Sequence, residues 1–125
     1  MPEPARNPDV PRNLKPYFLC LLKRGPRWDD TQGDEELLPR HLTYLRRWMQ
    51  EGSYRFAGTV LDESGIAGIA MIEARTLDAA QKIADEDPSV LSGRLIAELH
   101  PVFVPSLDGV RAVYAVETGA ETDKS

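Results

Sequence analysis

The sequence predicts an α+β fold of the ferredoxin-like type, with the element order βαββαβ and a four-stranded antiparallel sheet that carries two helices on one face. Three observations support this prediction. Short apolar segments bounded by turn-forming residues are typical of strands and occur four times. Two segments, one after the first strand and one after the third, repeat apolar residues every three or four positions, as amphipathic helices do. The length of 125 residues fits a single domain.

The two ends of the chain differ from its middle. Residues 1–15 contain four prolines and almost no apolar side chains, so burial would not offset the entropy lost on ordering them. We therefore expect a flexible N-terminal arm over residues 1–15 and a folded domain over residues 16–104. A C-terminal tail over residues 105–125 is expected to pack on the sheet or on a partner.

The first strand and the first helix follow the arm. Tyr17–Leu22 is an apolar run between a proline and a Gly-Pro pair, which is typical of a short buried strand. The first helix is predicted over Pro39–Glu51, because proline is favoured at the first helical position and Gly52 suits a helix C-terminus. A single stripe at helical spacing runs along it: Leu38, His41, Leu42, Leu45, Trp48 and Met49.

Two strands, a second helix and a last strand complete the domain. Tyr54–Leu61 and Ile66–Ala74 are predicted as an antiparallel hairpin, because the residues between them have turn chemistry. Thr76 is a favourable N-cap for the second helix, and Pro88 disfavours helical geometry at the residue before it. After a single turn, Leu95–Val104 is predicted as the fourth strand.

This topology leaves one face of the sheet without helices, because right-handed crossovers place both helices on the same side. The first and third strands nevertheless have no polar side, since residues 17–22 and 67–72 are apolar or glycine throughout. Strands of this kind are usually buried on both faces. We therefore expect a homodimer in which a second copy covers the bare face. The alternative is that the tail, whose AVYAV segment has strand character, folds back over it.

Composition limits the partners. The net charge of −5 disfavours binding to a nucleic acid backbone, and no run approaches the ~18 apolar residues of a membrane span. The single cysteine, Cys20, lies in an apolar run and forms no intramolecular disulfide, so a reducing, cytoplasmic location is expected. With two histidines and one cysteine, neither a metal site nor a cofactor is expected.

His41 is the residue most informative about chemistry. On a helix that begins at Pro39 it lies in the first turn and on the apolar stripe, so its ring points inward. The positive end of the helix dipole would keep the ring uncharged and able to accept a proton. Asp87 is the expected partner, because it ends the neighbouring helix and a carboxylate fixes the ring tautomer. The alternative is a hydrogen-bonded core histidine beside an aspartate that only forms a turn.

One histidine and two tryptophans give less specific indications of function. His100 precedes a proline in the fourth strand and is expected at the subunit contact rather than in a site. Trp28, in the loop after the first strand, is a candidate for lining a cavity. Trp48 is expected to pack in the core.

Two segments, LPRHLTYLRRWMQEGSYRFAG (residues 38–58) and ADEDPSVLSG (residues 84–93), resemble the YciI-like (YCII-related) family. With the strands around them, the resemblance covers residues 16–104. It implies a dimeric α/β-barrel fold and a site that uses a histidine and an aspartate, which correspond to His41 and Asp87.

The same segments supply Arg40, Gly58 and Ser89 as candidate substrate-binding residues. The chain departs from the family pattern at three positions. Leu38 stands where an arginine is frequent, Thr59 where a proline is usual, and Ser89 where an aromatic residue is common. These differences affect the expected shape and charge of the pocket.

The function that the sequence favours is that of a cofactor-independent enzyme. His41 would act as general base or acid, oriented by Asp87, in an elimination or isomerisation of a small cyclic or carbonyl-containing organic molecule. The best-known activity in the family that the chain resembles is dehydrochlorination of a chlorinated hydroxyquinol. Two alternatives stay open: a non-catalytic dimeric module that binds a small ligand or a protein, and a cofactor-free monooxygenase with an aromatic pocket.

Overall fold

Four antiparallel strands form one sheet in the order β2-β3-β1-β4. The computed structural model describes residues 7–31 and 33–115. Its elements are, in chain order, β1 (Leu14–Arg24), α1 (Asp34–Gln50), β2 (Tyr54–Thr59), β3 (Ile66–Ile72), α2 (Leu77–Asp85), α3 (Pro88–Leu91) and β4 (Leu95–Pro105). The predicted ferredoxin-like α+β fold is confirmed, and the single turn expected before the last strand is the four-residue helix α3.

The core lies between the helices and one face of the sheet. Cys20 of β1 pairs with Ala70 of β3 and with Leu99 of β4, so the centre of this face is built from small and medium side chains. Ala80 and Ala84 of α2, four residues apart, are fully buried against it. The buried cluster comprises Cys20, Leu22, Tyr54, Ala70, Ile72, Ala80, Ala84 and Leu95. Because the alanines are small, α2 packs close to the sheet.

The region between α2 and β4 positions a buried carboxylate. Thr76 caps α2, because its hydroxyl accepts a hydrogen bond from the Ala79 N–H at 3.0 Å, as predicted. α2 ends at Asp85, and α3 begins at Pro88 with Asp87 as its N-cap. The chain therefore turns between two helices at Asp87, and that residue is fixed by both.

The predicted start of the first helix was wrong. α1 begins at Asp34, not at Pro39, and Pro39 lies inside the helix. Gly33, with φ of 82°, precedes it, and its carbonyl accepts the Leu37 N–H at 3.0 Å. Acidic residues such as Glu35 and Glu36 are favourable near a helix N-terminus, and this signal outweighed the preference of proline for the first position.

The strand bounds also differ from those predicted, most of all for the first strand. β1 extends over Leu14–Arg24 and pairs with β4 along its whole length. At Pro16 it pairs with β4 and with no residue of β3, and such edge positions accommodate proline. The last residues expected in the N-terminal arm thus belong to the sheet, while residues 1–6 lie outside the described part.

The chain after β4 folds back over one end of the helix-free face, that is, the face of the sheet on which none of the described helices packs. Tyr17, on that face, is buried, and its hydroxyl accepts a hydrogen bond from the Leu107 N–H at 2.8 Å. Asp108 forms ion pairs with Lys15 and Arg55 at 3.3 and 2.8 Å. Residues 106–115 form no strand, and the rest of the AVYAV segment lies outside the described residues.

Much of the helix-free face is left for another contact. Leu19, Leu21 and Ile69 are half-buried there, and Ile96 is half-exposed. The homodimer expected over this face stays a prediction. No helix in the described part of the chain is long and apolar enough to cross a bilayer.

Candidate functional site

His41 and Asp87 are in direct contact. The Nδ1 atom of His41 lies 2.8 Å from Oδ1 and 2.9 Å from Oδ2 of Asp87. Since a carboxylate only accepts hydrogen bonds, Nδ1 carries the proton in this contact, and the other ring nitrogen, Nε2, remains for proton exchange. The His41 side chain is 16% exposed, whereas that of Asp87 is 1% exposed. The pair therefore has a buried acidic end and an accessible imidazole end.

The local sequence holds Asp87 in place. Its Oδ1 accepts the Ser89 N–H at 2.8 Å, which is the N-cap interaction of α3. The following proline keeps Asp87 out of helical geometry, with φ of −59° and ψ of 131°. A buried carboxylate needs such partners, because an unpaired charge in the interior is costly. The site is therefore organised before any ligand binds.

Two side chains affected by the charge of Asp87, the Cys20 thiol and the Tyr54 hydroxyl, stay protonated near neutral pH. Burial raises the pKa of the Cys20 thiol to about 12, and the charges of Asp87 and Asp85 add to the effect. Burial, followed by the charge of Asp87, also raises the pKa of Tyr54. Neither group ionises easily, so the His41 ring is the acid–base candidate beside Asp87.

The helix dipole does not act on His41 as expected from the sequence. Because α1 begins at Asp34, His41 is its eighth residue and lies past the second helical turn. The influence of the dipole is limited to the first turn, so this reason for an uncharged ring no longer holds. The contact with Asp87 takes its place as the feature that orients the ring.

His41 lines a cavity of about 930 Å³ between α1 and the sheet. Two leucines of the stripe predicted for α1, Leu38 and Leu42, line the same cavity and are 59% and 53% exposed. Leu45, Trp48 and Met49, from the same stripe, pack against the core, as expected for Trp48. One helix face therefore contributes both to the core and to the cavity wall.

The candidate substrate-binding residues are not all at this cavity. Gly58 of β2 and Ser89 of α3 line it together with His41. Arg40 is exposed and lines a smaller depression of about 380 Å³ beside Pro88 and Arg47. Residues 40 and 41 are adjacent on a helix and point in different directions, so the structure does not bring Arg40 to His41.

Sequence reasoning missed several cavity residues. Arg46, Arg94 and Tyr114 line the cavity, as does Trp28, which the sequence had marked as a candidate. Arg46 follows Leu42 by four positions on α1, so helical spacing alone was sufficient to find it. Arg94 and Tyr114 belong to segments far apart in sequence from α1 and had no local signal.

The second histidine lies apart from this site. His100 is half exposed on β4, and its Nε2 lies 2.7 Å from Oε2 of Glu98. Within the described residues, no group of three or more histidine, cysteine, aspartate or glutamate side chains is placed to hold a metal ion. His41 is thus the histidine on which a chemical role depends.

Comparison with known proteins identifies the family. The sequence model of the YCII-related domain matches residues 17–101, which is more than half of the chain. The chain belongs to the YCII-related domain family. The resemblance found in the sequence is therefore confirmed. No curated protein matches this YCII-related chain.

Among solved structures, this YCII-related domain is similar to 5-chloro-2-hydroxyhydroquinone dehydrochlorinase from Burkholderia phenoliruptrix AC1100, in complex with 2,5-dihydroxybenzoquinone. The two chains are 14% identical, and their TM-score is 0.51. The match covers 69% of this chain and 91% of the other. At this level of identity, the likeness supports the fold of the YCII-related domain and says nothing about individual residues.

Proposed function

We propose that this protein is a cofactor-independent enzyme in which His41 acts as general base or acid. Asp87 orients the ring, and the substrate is a small cyclic or carbonyl-containing organic molecule. The reaction is an elimination or an isomerisation. The observation that carries the proposal is the contact of His41 Nδ1 with both carboxylate oxygens of Asp87, at 2.8 and 2.9 Å, at the wall of a cavity.

The chemistry follows from the free ring nitrogen. Nε2 of His41 takes a proton from a carbon next to a carbonyl group, and the imidazolium that forms is stabilised by the Asp87 carboxylate. In an elimination, the electrons of the broken C–H bond, or of a ring O–H bond through the conjugated system, form a new double bond while the carbon that bears the leaving group releases it as an anion. In an isomerisation, the imidazolium returns the proton to another carbon of the same molecule.

The cavity fits a substrate of this class. Its volume of about 930 Å³ lies within the usual range of small-molecule sites. Its wall is mainly apolar, with Trp28 and Leu42 among its large side chains and Thr43 and Ser89 as polar groups. The YCII-related family and the dehydrochlorinase named for the similar structure support a small-molecule enzyme, since dehydrochlorination is an elimination.

We also propose the homodimer and the cytoplasmic location expected from the sequence. The dimer is supported by the apolar residues on the helix-free face, such as Leu19 and Leu21, which none of the described helices covers. The location is supported by the sole cysteine, Cys20, which is buried as a free thiol.

Turnover measurements on two substrates test the enzymatic proposal. The first substrate is 5-chloro-2-hydroxyhydroquinone, with release of chloride as the readout. The second is 3-cyclohexenone, whose isomerisation to the conjugated enone needs a base that takes a proton from the carbon next to the carbonyl group. We expect the wild-type protein to accelerate at least one reaction, and His41→Gln to lower its rate by roughly 10²–10⁴-fold, the usual contribution of a positioned base.

His100→Gln is the matched control, because it removes a histidine that is half exposed and outside the cavity. We expect this variant to keep the wild-type rate. A wild-type protein that accelerates neither reaction, or a His41→Gln variant as fast as the wild type, would contradict the proposal. The first result would favour the non-catalytic binding module.

A further inference from the structure

Two arginines line the cavity that contains His41. Arg46 comes from α1 and Arg94 directly precedes β4, and both are half-buried. Among the described residues of the wall, no other side chain is arginine or lysine, and none is aspartate or glutamate. The chain as a whole carries a net charge of −5. The wall therefore contains two cationic side chains in a chain that is acidic as a whole.

Arg46 is held by an aromatic ring. Its guanidinium carbon lies 4.0 Å from the centre of the Tyr114 ring, and the Tyr114 hydroxyl donates to Met49 Sδ at 3.5 Å. The adjacent Arg47 does not line this cavity, and its side chain is 63% exposed and pairs with Glu51 at 4.0 Å. The chain after β4 thus fixes one of two neighbouring arginines at the cavity.

Arg94 is fixed through its backbone. Its N–H donates to the Ser89 carbonyl at 3.1 Å, and its carbonyl accepts the Gly25 N–H at 2.8 Å. The same helix, α3, is capped by Asp87, the partner of His41. The positions of Arg94 and of the His41–Asp87 pair are therefore set by one small structural unit.

We propose that the cavity binds a cyclic organic anion, that is, a ring bearing a carboxylate, phenolate or enolate oxygen. Arg46 and Arg94 contact the anionic oxygen, and Leu38, Leu42 and Trp28 contact the ring. Guanidinium groups bind such oxygens through paired hydrogen bonds, and a wall that is apolar elsewhere strengthens the interaction. This inference rests on the proposed function and names its substrate class.

The arginines also suit the proposed chemistry. Removal of a proton from carbon leaves additional negative charge on the ring and its oxygens. Cationic groups held at that position before the reaction stabilise the charge without having to reorganise. Arg46 and Arg94 thus contribute both to substrate binding and to stabilisation of the charge that develops during the reaction.

Binding of two matched probes tests the inference without requiring turnover. The anionic probe is 2,5-dihydroxybenzoquinone, whose hydroxyl groups are vinylogous acids, and the neutral probe is 2,5-dimethoxybenzoquinone. Calorimetry on the full chain gives both affinities, with quenching of the fluorescence of its two tryptophans, of which Trp28 lines the cavity, as a second readout. We expect the wild-type protein to bind the anion roughly ten- to a hundredfold more tightly than the neutral probe.

Variants assign the preference to the two arginines. Arg46→Gln and Arg94→Gln are each expected to weaken anion binding roughly ten- to a hundredfold and to leave neutral-probe binding unchanged. Arg46→Lys and Arg94→Lys, which keep the charge, should retain part of the preference even if a Gln variant folds poorly. Arg47→Gln, one residue along α1, is the matched control and should behave as the wild type.

Equal wild-type affinities for the two probes would overturn the inference, and so would a preference for the anion that survives both Gln substitutions. These results are distinguishable from a failure of the proposed function. His41→Gln lowers the turnover rate only if the enzymatic proposal is correct, whereas the anion preference is measured on binding alone.

Discussion

At the scale of single residues, Asp87 serves two parts of the structure at once. Its carboxylate accepts the His41 Nδ1–H and also the Ser89 N–H that begins α3. The first contact orients the His41 ring, and the second fixes the turn between α2 and α3. Two substitutions separate these contributions.

Asp87→Asn keeps a good N-cap but removes the negative charge that stabilises an imidazolium. We expect a large loss of turnover and retention of the cap on α3. Asp87→Ala also removes the cap, so its free energy of unfolding should be lower than that of Asp87→Asn by about 1 kcal/mol. Initial rates and urea unfolding curves measure the two effects.

Asp85→Asn is the control for charge alone, because Asp85 is an exposed carboxylate on α2 that does not contact His41. This variant should keep its activity. If Asp87→Asn turned over substrate as fast as Asp85→Asn, Asp87 would have no part in the chemistry.

The contact between His41 and Asp87 was predicted from the sequence. The structure supports only part of the reasoning behind that prediction. The pattern placed one residue on the inner face of a helix and the other before a proline at the end of the neighbouring helix. Both placements agree with the structure, since His41 lines the cavity and Asp87 caps α3. The helix-dipole effect expected at His41 does not apply, because it depended on the exact first residue of α1.

At the scale of secondary structure elements, the start of α1 was harder to predict than its apolar face, whereas the N-cap of α2 at Thr76 was predicted correctly. The apolar stripe of α1 depends on a periodicity repeated over several turns, so one error at the end did not displace it. The first residue of α1 was predicted from a single signal, the preference of proline for the first helical position, and Pro39 lies inside the helix instead. The extension of β1 through Pro16 was missed because its pairing with β4 is a long-range contact.

A glycine controls how closely β1 approaches the start of β4. A Cβ atom at Gly25 would lie 2.4 Å from the Gly93 carbonyl oxygen and 3.1 Å from the Arg94 carbonyl carbon. Both atoms belong to the backbone, so Gly25→Ala should lower the free energy of unfolding by about 1–3 kcal/mol, as overpacking does. Because the shift would displace Arg94, binding of the anionic probe should also weaken.

Gly109→Ala is the matched control, since a Cβ atom there would meet no heavy atom within 4 Å. Denaturant unfolding of both variants gives the comparison. A Gly25→Ala protein as stable as Gly109→Ala would contradict this prediction, because it would show that the backbone around Gly93 can move aside at little cost in free energy.

At the scale of the whole molecule, the helix-free face is the surface on which we propose that the homodimer forms. Leu19 of β1 pairs with Met71 of β3 and His100 of β4, at the centre of this face. A charge at that position would be buried in a homodimer and solvated in a monomer. We expect the wild type to sediment as a dimer, and Leu19→Glu to sediment as a folded monomer.

Leu61→Glu is the control, because Leu61 is 93% exposed in the turn between β2 and β3. It should leave the sedimentation coefficient unchanged. A wild-type chain that sediments as a monomer at all concentrations would contradict the homodimer.

The sheet and its helices were readable from the sequence, whereas the charge of the cavity was not. Strand and helix periodicities are local properties, and they determine which side chains face inward. The cavity wall joins Arg46 of α1 to Arg94 before β4 and Tyr114 after it. Only the assembled fold brings these residues together. The sequence neighbours of His41 suggested Arg40 instead, which lines a different depression.

The most direct test of the account is the tautomer of His41, which long-range ¹H–¹⁵N correlation spectra of the imidazole rings report. Spectra at alkaline pH, where both rings are neutral, are assigned with His41→Gln and His100→Gln. The account predicts a proton on Nδ1 of His41, donated to Asp87, and an unprotonated Nε2. A neutral His41 ring with its proton on Nε2, or one that averages between tautomers as in free solution, would contradict it.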